Sequence, residues 1–180
     1  MTKILVPISN GFEEIETVSI IDICRRAEIE VTIAAVEELE TVGAHNISIK
    51  ADCKIEDVND EFDMIVLPGG LPNAFTLAEN NHVQNFLKKM KKENKLIGAI
   101  CAAPYALHKA DVLNQNYTCY PSFEEKIRLD GYHKDDNIVI DDNVITSRGP
   151  ATAMNFALEI VKILQGKKKY TEVKNGLLQK

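Results

Sequence analysis

An α/β sandwich with a mainly parallel sheet and helices on both faces is the fold class this sequence predicts, on three observations. Short apolar runs at Lys3 to Ile8, Glu30 to Val36, Asp63 to Leu67 and Lys95 to Ile100 read as strands. Helical patterns follow the first, third and fourth runs, at about Glu13 to Ala27, near His82 to Glu93, and from Ala102 to about Ala110. Turn residues such as Ser9-Asn10-Gly11 and Pro68-Gly69-Gly70 punctuate the changes. Repeated strand, turn and helix imply parallel strands, because a parallel neighbour needs a crossover that brings the chain back to the same end.

The first run is followed by a helix whose apolar residues Ile20, Ile23, Cys24 and Ala27 share one face at 100° per residue, and Glu16 falls in the same stripe. Glu30 to Val36 alternates and is rich in Val, Ile and Thr. Asn46 to Lys50 reads as a short strand in a less regular stretch. After Asp111 the pattern loosens, with a short strand expected at Asn116 to Cys119 and a short helix at Ser122 to Arg128. Ile138 to Ile140 and Val144 to Thr146 flank Asp141-Asp142-Asn143 with hairpin spacing. Pro150 then opens a long helix to about Leu164, with Gly166 as its stop. At 180 residues without a linker or repeat, the expectation is one domain over residues 1–180.

Charge excludes some function classes. Lys plus Arg is 21 and Asp plus Glu is 27, a net charge of −6, which argues against nucleic acid and anionic membrane as partners. No apolar run reaches the ~18 residues of a membrane span, and Met1 to Ile8 does not read as a signal peptide, so a cytoplasmic location is expected. Cys24, Cys53, Cys101 and Cys119 have no metal-ligand spacing, so reduced thiols and no metal are expected.

In open α/β sheets, ligands bind beyond the carboxyl ends of the strands, which directs attention to three turns. Gly98 to Pro104 carries an apolar strand to Cys101 and straight into a helix, with small Ala99 and Ala103 two positions either side, as in a nucleophile elbow. A buried structural thiol is the commoner fate of a free cysteine. Position at a strand end favours chemistry instead, and a helix amino terminus lowers a thiol pKa. Pro68-Gly69-Gly70 offers backbone N–H groups as oxyanion donors, although a plain chain reversal explains it locally as well. Glu16 is a carboxyl group on a buried face, where desolvation keeps it protonated and fit for acid/base work. Glu13 and Glu14 serve the helix start. His108 lies about 10 Å along its helix from Cys101, too far to be its partner. His45, His82 and His133 read as surface residues.

These residues resemble the DJ-1/ThiJ/PfpI superfamily and its small DJ-1-like branch. The resemblance is carried by Gly11 to Val18, Arg25-Arg26-Ala27, Leu67 to Gly70, Ala99 to Pro104, and Thr146 to Pro150, in that order and spacing. It implies a flavodoxin-like three-layer sandwich and a homodimer. It also implies Cys101 as the reactive cysteine, Glu16 as the protonated acid bonded to it, and Gly70 and Ala102 as backbone donors. No cofactor is implied. Tyr120-Pro121 stands where many relatives place a histidine before proline, which sets Tyr120 as a candidate pocket residue without the histidine's chemistry. Ala102 stands where the peptidase-like branch has histidine, so peptidase activity is not expected.

The expected function is therefore cysteine-dependent chemistry on small reactive carbonyls, as a glyoxalase converting methylglyoxal to lactate or a deglycase of early glycation adducts. The alternative is a redox-sensing stress protein whose Cys101 is oxidised to sulfinate. Independently of the resemblance, Ile15 and Val18 lie opposite the buried stripe of the first helix, with Asp22 and Arg25 beside them, and mark that helix as a homodimer surface.

Overall fold

In the computed structural model, which describes residues 1–59 and 61–179, the parallel strands are β1 (Lys3–Ile8), β2 (Glu30–Ala35), β5 (Cys53–Lys54), β6 (Met64–Leu67), β7 (Leu96–Ile100) and β9 (Val144–Ser147). With β8 (Ile138–Asp141), which runs antiparallel to β9 as the hairpin spacing anticipates, the sheet among the described residues has seven strands in the order β5-β2-β1-β6-β7-β9-β8. The result is a flavodoxin-like three-layer sandwich.

Alternation along each strand divides the core in two. Ile4, Val6, Ile8, Met64, Val66 and Ile100 face α1 (Glu14–Arg26) and α6 (Ala153–Gly176). Leu5, Ile65, Leu67, Ile97 and Ala99 face α2 (Asn73–Glu79), α3 (Asn81–Lys92) and α4 (Pro104–Lys109). With Ile4, Leu5, Val6 and Ile8 all at 0% exposure, β1 needs no polar face beyond its first residue, which is why it reads as an apolar run.

Several elements depart from expectation. The stretch around Asn46 yields β4 (Ser48–Lys50), which pairs only with β3 (Glu40–Val42) in a separate hairpin off the main sheet. This hairpin straps the start of α1: Gly11 N–H donates to Val42 O at 2.8 Å and Ala44 N–H to Phe12 O at 2.9 Å. No strand forms at Asn116 to Cys119. Tyr117 makes a lone bridge with Tyr132, and the following helix shortens to α5 (Glu124–Ile127). Pro150 opens a turn of tighter helix, Pro150–Thr152, before α6 begins. Gly166 (φ 84°, ψ 172°) interrupts α6 without ending it, because Lys167 onward resumes helical geometry. No helix among the described residues is long and apolar enough to cross a membrane.

Candidate active site

Cys101 ends β7 in a left-handed backbone conformation, φ 64°, which a non-glycine residue adopts only when its surroundings fix it. Two hydrogen bonds do so. Its N–H donates to Ser147 O at 2.9 Å, extending the β7–β9 ladder, and its carbonyl accepts Tyr120 N–H at 2.8 Å. Ala99 and Ala103 are fully buried on either side, and the sulfur-bearing residue itself is only 8% exposed. This is the strand-to-helix elbow the sequence predicts.

Glu16 arrives from the first turn of α1. The Glu13 side chain caps that helix by accepting Glu16 N–H at 2.8 Å, leaving the Glu16 carboxyl to turn into the core at 0% exposure. There its Oε2 accepts Gly69 N–H at 2.8 Å. The approach is close enough to demand glycine: a Cβ on Gly69 would lie 2.6 Å from Cys101 Cβ and 2.7 Å from Glu16 Oε2. Gly70, at φ 89°, would drive a Cβ into the backbone of Gly11 and Glu13. With these side chains absent, the N–H groups of Gly70 and Ala102 and the Glu16 carboxyl all act on the ionisation of the Cys101 thiol, while Glu16 Oε1 is buried with no hydrogen-bond partner among the described residues. Cys101, Glu16, Gly70 and Ala102 thus converge.

Burial raises Glu16 from its ordinary 4.5 to about 7, with the Gly69 N–H and the Cys101 hydrogen bond working against it and the Glu13 charge adding to it. Cys101 is also pushed up, first by burial and then by the charge and hydrogen bond of Glu16, while the Gly70 and Ala102 N–H groups pull down. The expected lowering of the thiol pKa by a helix amino terminus is therefore corrected. α4 is six residues long and begins at Pro104, and the desolvated sulfur faces a carboxylate. Two negative charges so close in a dry site are mutually destabilising, so carboxylate and thiolate compete for one proton.

Tyr120 is 48% exposed, and its ring lies on Gly149, whose added Cβ would sit 3.3 Å from the ring. It borders a cleft of about 370 Å³ shared with Pro121, Arg148 and Pro150. Burial likewise pushes Cys24 and Cys119 up to about 12, but neither has the Gly70 and Ala102 N–H groups that pull Cys101 down. His45 is a surface residue as anticipated, its side chain 72% exposed, and it also places Nδ1 2.8 Å from Glu14 Oε2 and donates its main-chain N–H to Glu14 Oε1 at 2.6 Å. Glu14 thus holds the hairpin as well as its own amide at the helix start. Glu13, Glu14 and His45 bring donor atoms within 4.8 Å of one another, the one such group among the described residues, but His45 engages both Glu14 oxygens.

Sequence reasoning missed Asn73. It is fully buried and bonded to Pro68, Gly69 and Ser9. Its only local signal is a polar residue after Leu71-Pro72, which reads as an ordinary turn leading into a helix.

Comparison with known proteins places this geometry in context. The sequence profile of the DJ-1/PfpI family matches residues 2–163. The crystal structure of Drosophila melanogaster DJ-1beta superimposes with a TM-score of 0.96 at 39% identity, covering 99% of this chain and 98% of that one. A Caenorhabditis elegans protein named glutathione-independent glyoxalase is 39% identical over 92% of this chain and 89% of its own length. Protein DJ-1 homolog B of Arabidopsis thaliana is 38% identical over 99% of this chain, which spans only 42% of that longer protein.

Proposed function

The chain belongs to the DJ-1/PfpI family, and we propose that within it the protein is a cysteine-dependent enzyme acting on small reactive carbonyls, with methylglyoxal converted to lactate as its reaction. The observation that carries this reading is the buried Cys101–Glu16 pair with the Gly70 and Ala102 N–H groups on the sulfur. The name of the Caenorhabditis elegans relative supports it.

A carboxyl group with a pKa of about 7 both takes and returns a proton near neutral pH. Ionised Glu16 removes the thiol proton as sulfur adds to the aldehyde carbon. The C=O π electrons move to oxygen, and the Gly70 and Ala102 N–H groups meet that developing charge two bonds beyond the sulfur. Protonation of this oxygen by Glu16 gives a neutral hemithioacetal. Glu16 then takes the hydrogen of the former aldehyde carbon as a proton, forming an enediolate, and returns it to the neighbouring carbon, while the hydroxyl proton passes from the oxygen on the sulfur-bearing carbon to the neighbouring oxygen. The product is a lactoyl thioester on Cys101. Water cleaves the thioester, releasing lactate and restoring the thiol, so the net change is addition of one water to methylglyoxal. Deglycation of an early adduct uses the same attack with an amine as leaving group.

A sensor role for Cys101 requires a resting thiolate, because peroxide attacks the ionised form. Burial and Glu16 hold the thiol up, so either role requires loss of its proton, and turnover has an adjacent base in Glu16. The deciding experiment is lactate formation from methylglyoxal by the purified protein, with Cys101→Ser as control. Equal lactate from both proteins would sink the proposal.

Pairing of two copies through α1 belongs to the same reading. Ile15 and Val18 are 57% and 47% exposed there, beside a groove formed with Ile21, Arg25, Ile33 and Ile49. Sedimentation of a monomer alone at micromolar concentration would defeat it.

A further inference from the structure

We infer that Asn73 is a positioning residue for the Cys101–Glu16 pair, acting through the two peptide units that supply their N–H donors. This rests on the reading of that pair as the reactive centre.

The argument follows the peptide planes. A peptide unit is planar and trans, so its C=O and N–H point in opposite directions and holding one aims the other. The unit joining Pro68 to Gly69 presents its carbonyl to Asn73 Nδ2 at 2.9 Å and its N–H to Glu16 Oε2 at 2.8 Å. The next unit, joining Gly69 to Gly70, presents its carbonyl to the same Nδ2, again at 2.9 Å, and its N–H to the Cys101 sulfur. One side-chain amide therefore grips the carbonyl ends of two consecutive units, while their opposite ends hold the acid and the nucleophile.

Asn73 is itself fixed. Its Oδ1 accepts Ser9 N–H at 2.8 Å and the Ser9 hydroxyl at 3.1 Å, and both residues are buried. With donors on one side and carbonyls on the other, the amide has one orientation that satisfies every group. The restraint matters because both gripped residues beyond Pro68 are glycines, the residues with the widest backbone freedom. Glu13 N–H adds a bond to Gly69 O at 3.1 Å, but Asn73 is the side chain that reaches both carbonyls. It also ties the loop to the end of β1 through Ser9.

The test follows alkylation of Cys101 by iodoacetamide against pH, read on the Cys101 peptide by mass spectrometry, with thermal melting alongside. In Asn73→Ala both N–H groups lose their aim, so carboxylate and thiolate each become costlier. The profile moves up by about one pH unit, with about tenfold slower alkylation at neutral pH. Asn143→Ala is the structural control. It is another buried asparagine, whose Nδ2 donates to Lys95 O at 2.7 Å at the far end of β7. That variant lowers the melting temperature and leaves the profile in place. If Asn73→Ala does not fold, Ser9→Ala decides, since it removes the hydroxyl bond to Asn73 Oδ1 while the main-chain N–H bond stays, and so shifts the profile in the same direction by less. An unmoved profile in the folded variant, or an equal shift in Asn143→Ala, overturns the inference. Alkylation needs no carbonyl turnover, so a shifted profile in a protein that makes no lactate would reject the proposed reaction and leave the positioning role standing.

Discussion

Glu14 and Glu16 stand two residues apart in the first turn of one helix, both buried, and their carboxyl groups are driven in opposite directions. Burial acts upward on both. At Glu14, on the hairpin side, the ring and main-chain N–H of His45, with the Ile47 amide, outweigh it and hold the group below 4.5. At Glu16, on the sheet side, the Gly69 amide and the Cys101 thiol do not suffice, and the group rises to about 7. Burial raises the energy of a charge, and the donors it meets decide whether the charge survives. One side of the turn is thereby a fixed anchor and the other a proton carrier.

The largest expected break between the two sides is kinetic. Glu16→Gln should lower methylglyoxal turnover by about 10²- to 10⁴-fold, the usual contribution of a positioned acid/base group. Glu14→Gln should leave turnover within about one order of magnitude, because no proton passes through it. Cys101→Ser should lose turnover while keeping its melting temperature, and serine at Cys24 should do the reverse, since a hydroxyl there is buried without a partner. Lactate assays with thermal melts check all four variants. Similar losses at Glu14 and Glu16 would erase the distinction.

Stability against pH is the next largest effect, with opposite signs on the two sides. The folded-state pKa of Glu16 is raised, so its contribution is fully present below 4.5 and is lost as pH rises to about 7. The loss is roughly 3 kcal/mol. Urea unfolding from acid to mildly alkaline pH should show wild type losing ground to Glu16→Gln across that window. Parallel curves would show that Glu16 does not titrate there. The folded-state pKa of Glu14 is lowered, so its contribution is present above 4.5 and disappears as pH falls. Glu14→Gln should therefore melt several degrees lower at neutral pH and match wild type in acid.

The smallest effect concerns coupling within the anchor. The penalty of Glu14→Gln should shrink in a His45→Ala background, since contacting partners are not additive. Full additivity in melting temperature would mean that the His45 ring, 2.8 Å from Glu14 in the structure, does not hold the carboxylate in solution.

How much of this was legible in the sequence depended on whether the cause was local. Ile20, Ile23 and Cys24 repeat at helical spacing, so the buried stripe and the anomaly of Glu16 within it were both visible. Cys101 was visible because a strand, a cysteine and a helix follow one another directly. The α2 helix was missed because it is a single short segment behind Leu71-Pro72, with no periodicity to register. Asn73 and His45 were invisible for a different reason. Their partners lie far along the chain, Ser9 64 residues away and Glu14 31, and no residue pattern announces such a pairing. The lowered thiol pKa was misjudged because a helix start was weighed without the desolvation that only packing reveals.

The parallel order of the sheet has a consequence for how the protein forms. Glu16 meets Gly69 across 53 residues, and Cys101 donates its N–H to the Ser147 carbonyl on a strand later still. None of these contacts can form within a local hairpin, and non-local pairings carry the entropy of closing long loops before they return any energy. The expected outcome is that the pair assembles late, with Cys101 an accessible thiol until it does. A pulse of alkylating reagent during refolding should label Cys101 at the rate of a free peptide until β9 docks beside β7, and then fall to the native rate in one step, making the nucleophile a clock for completion of the sheet.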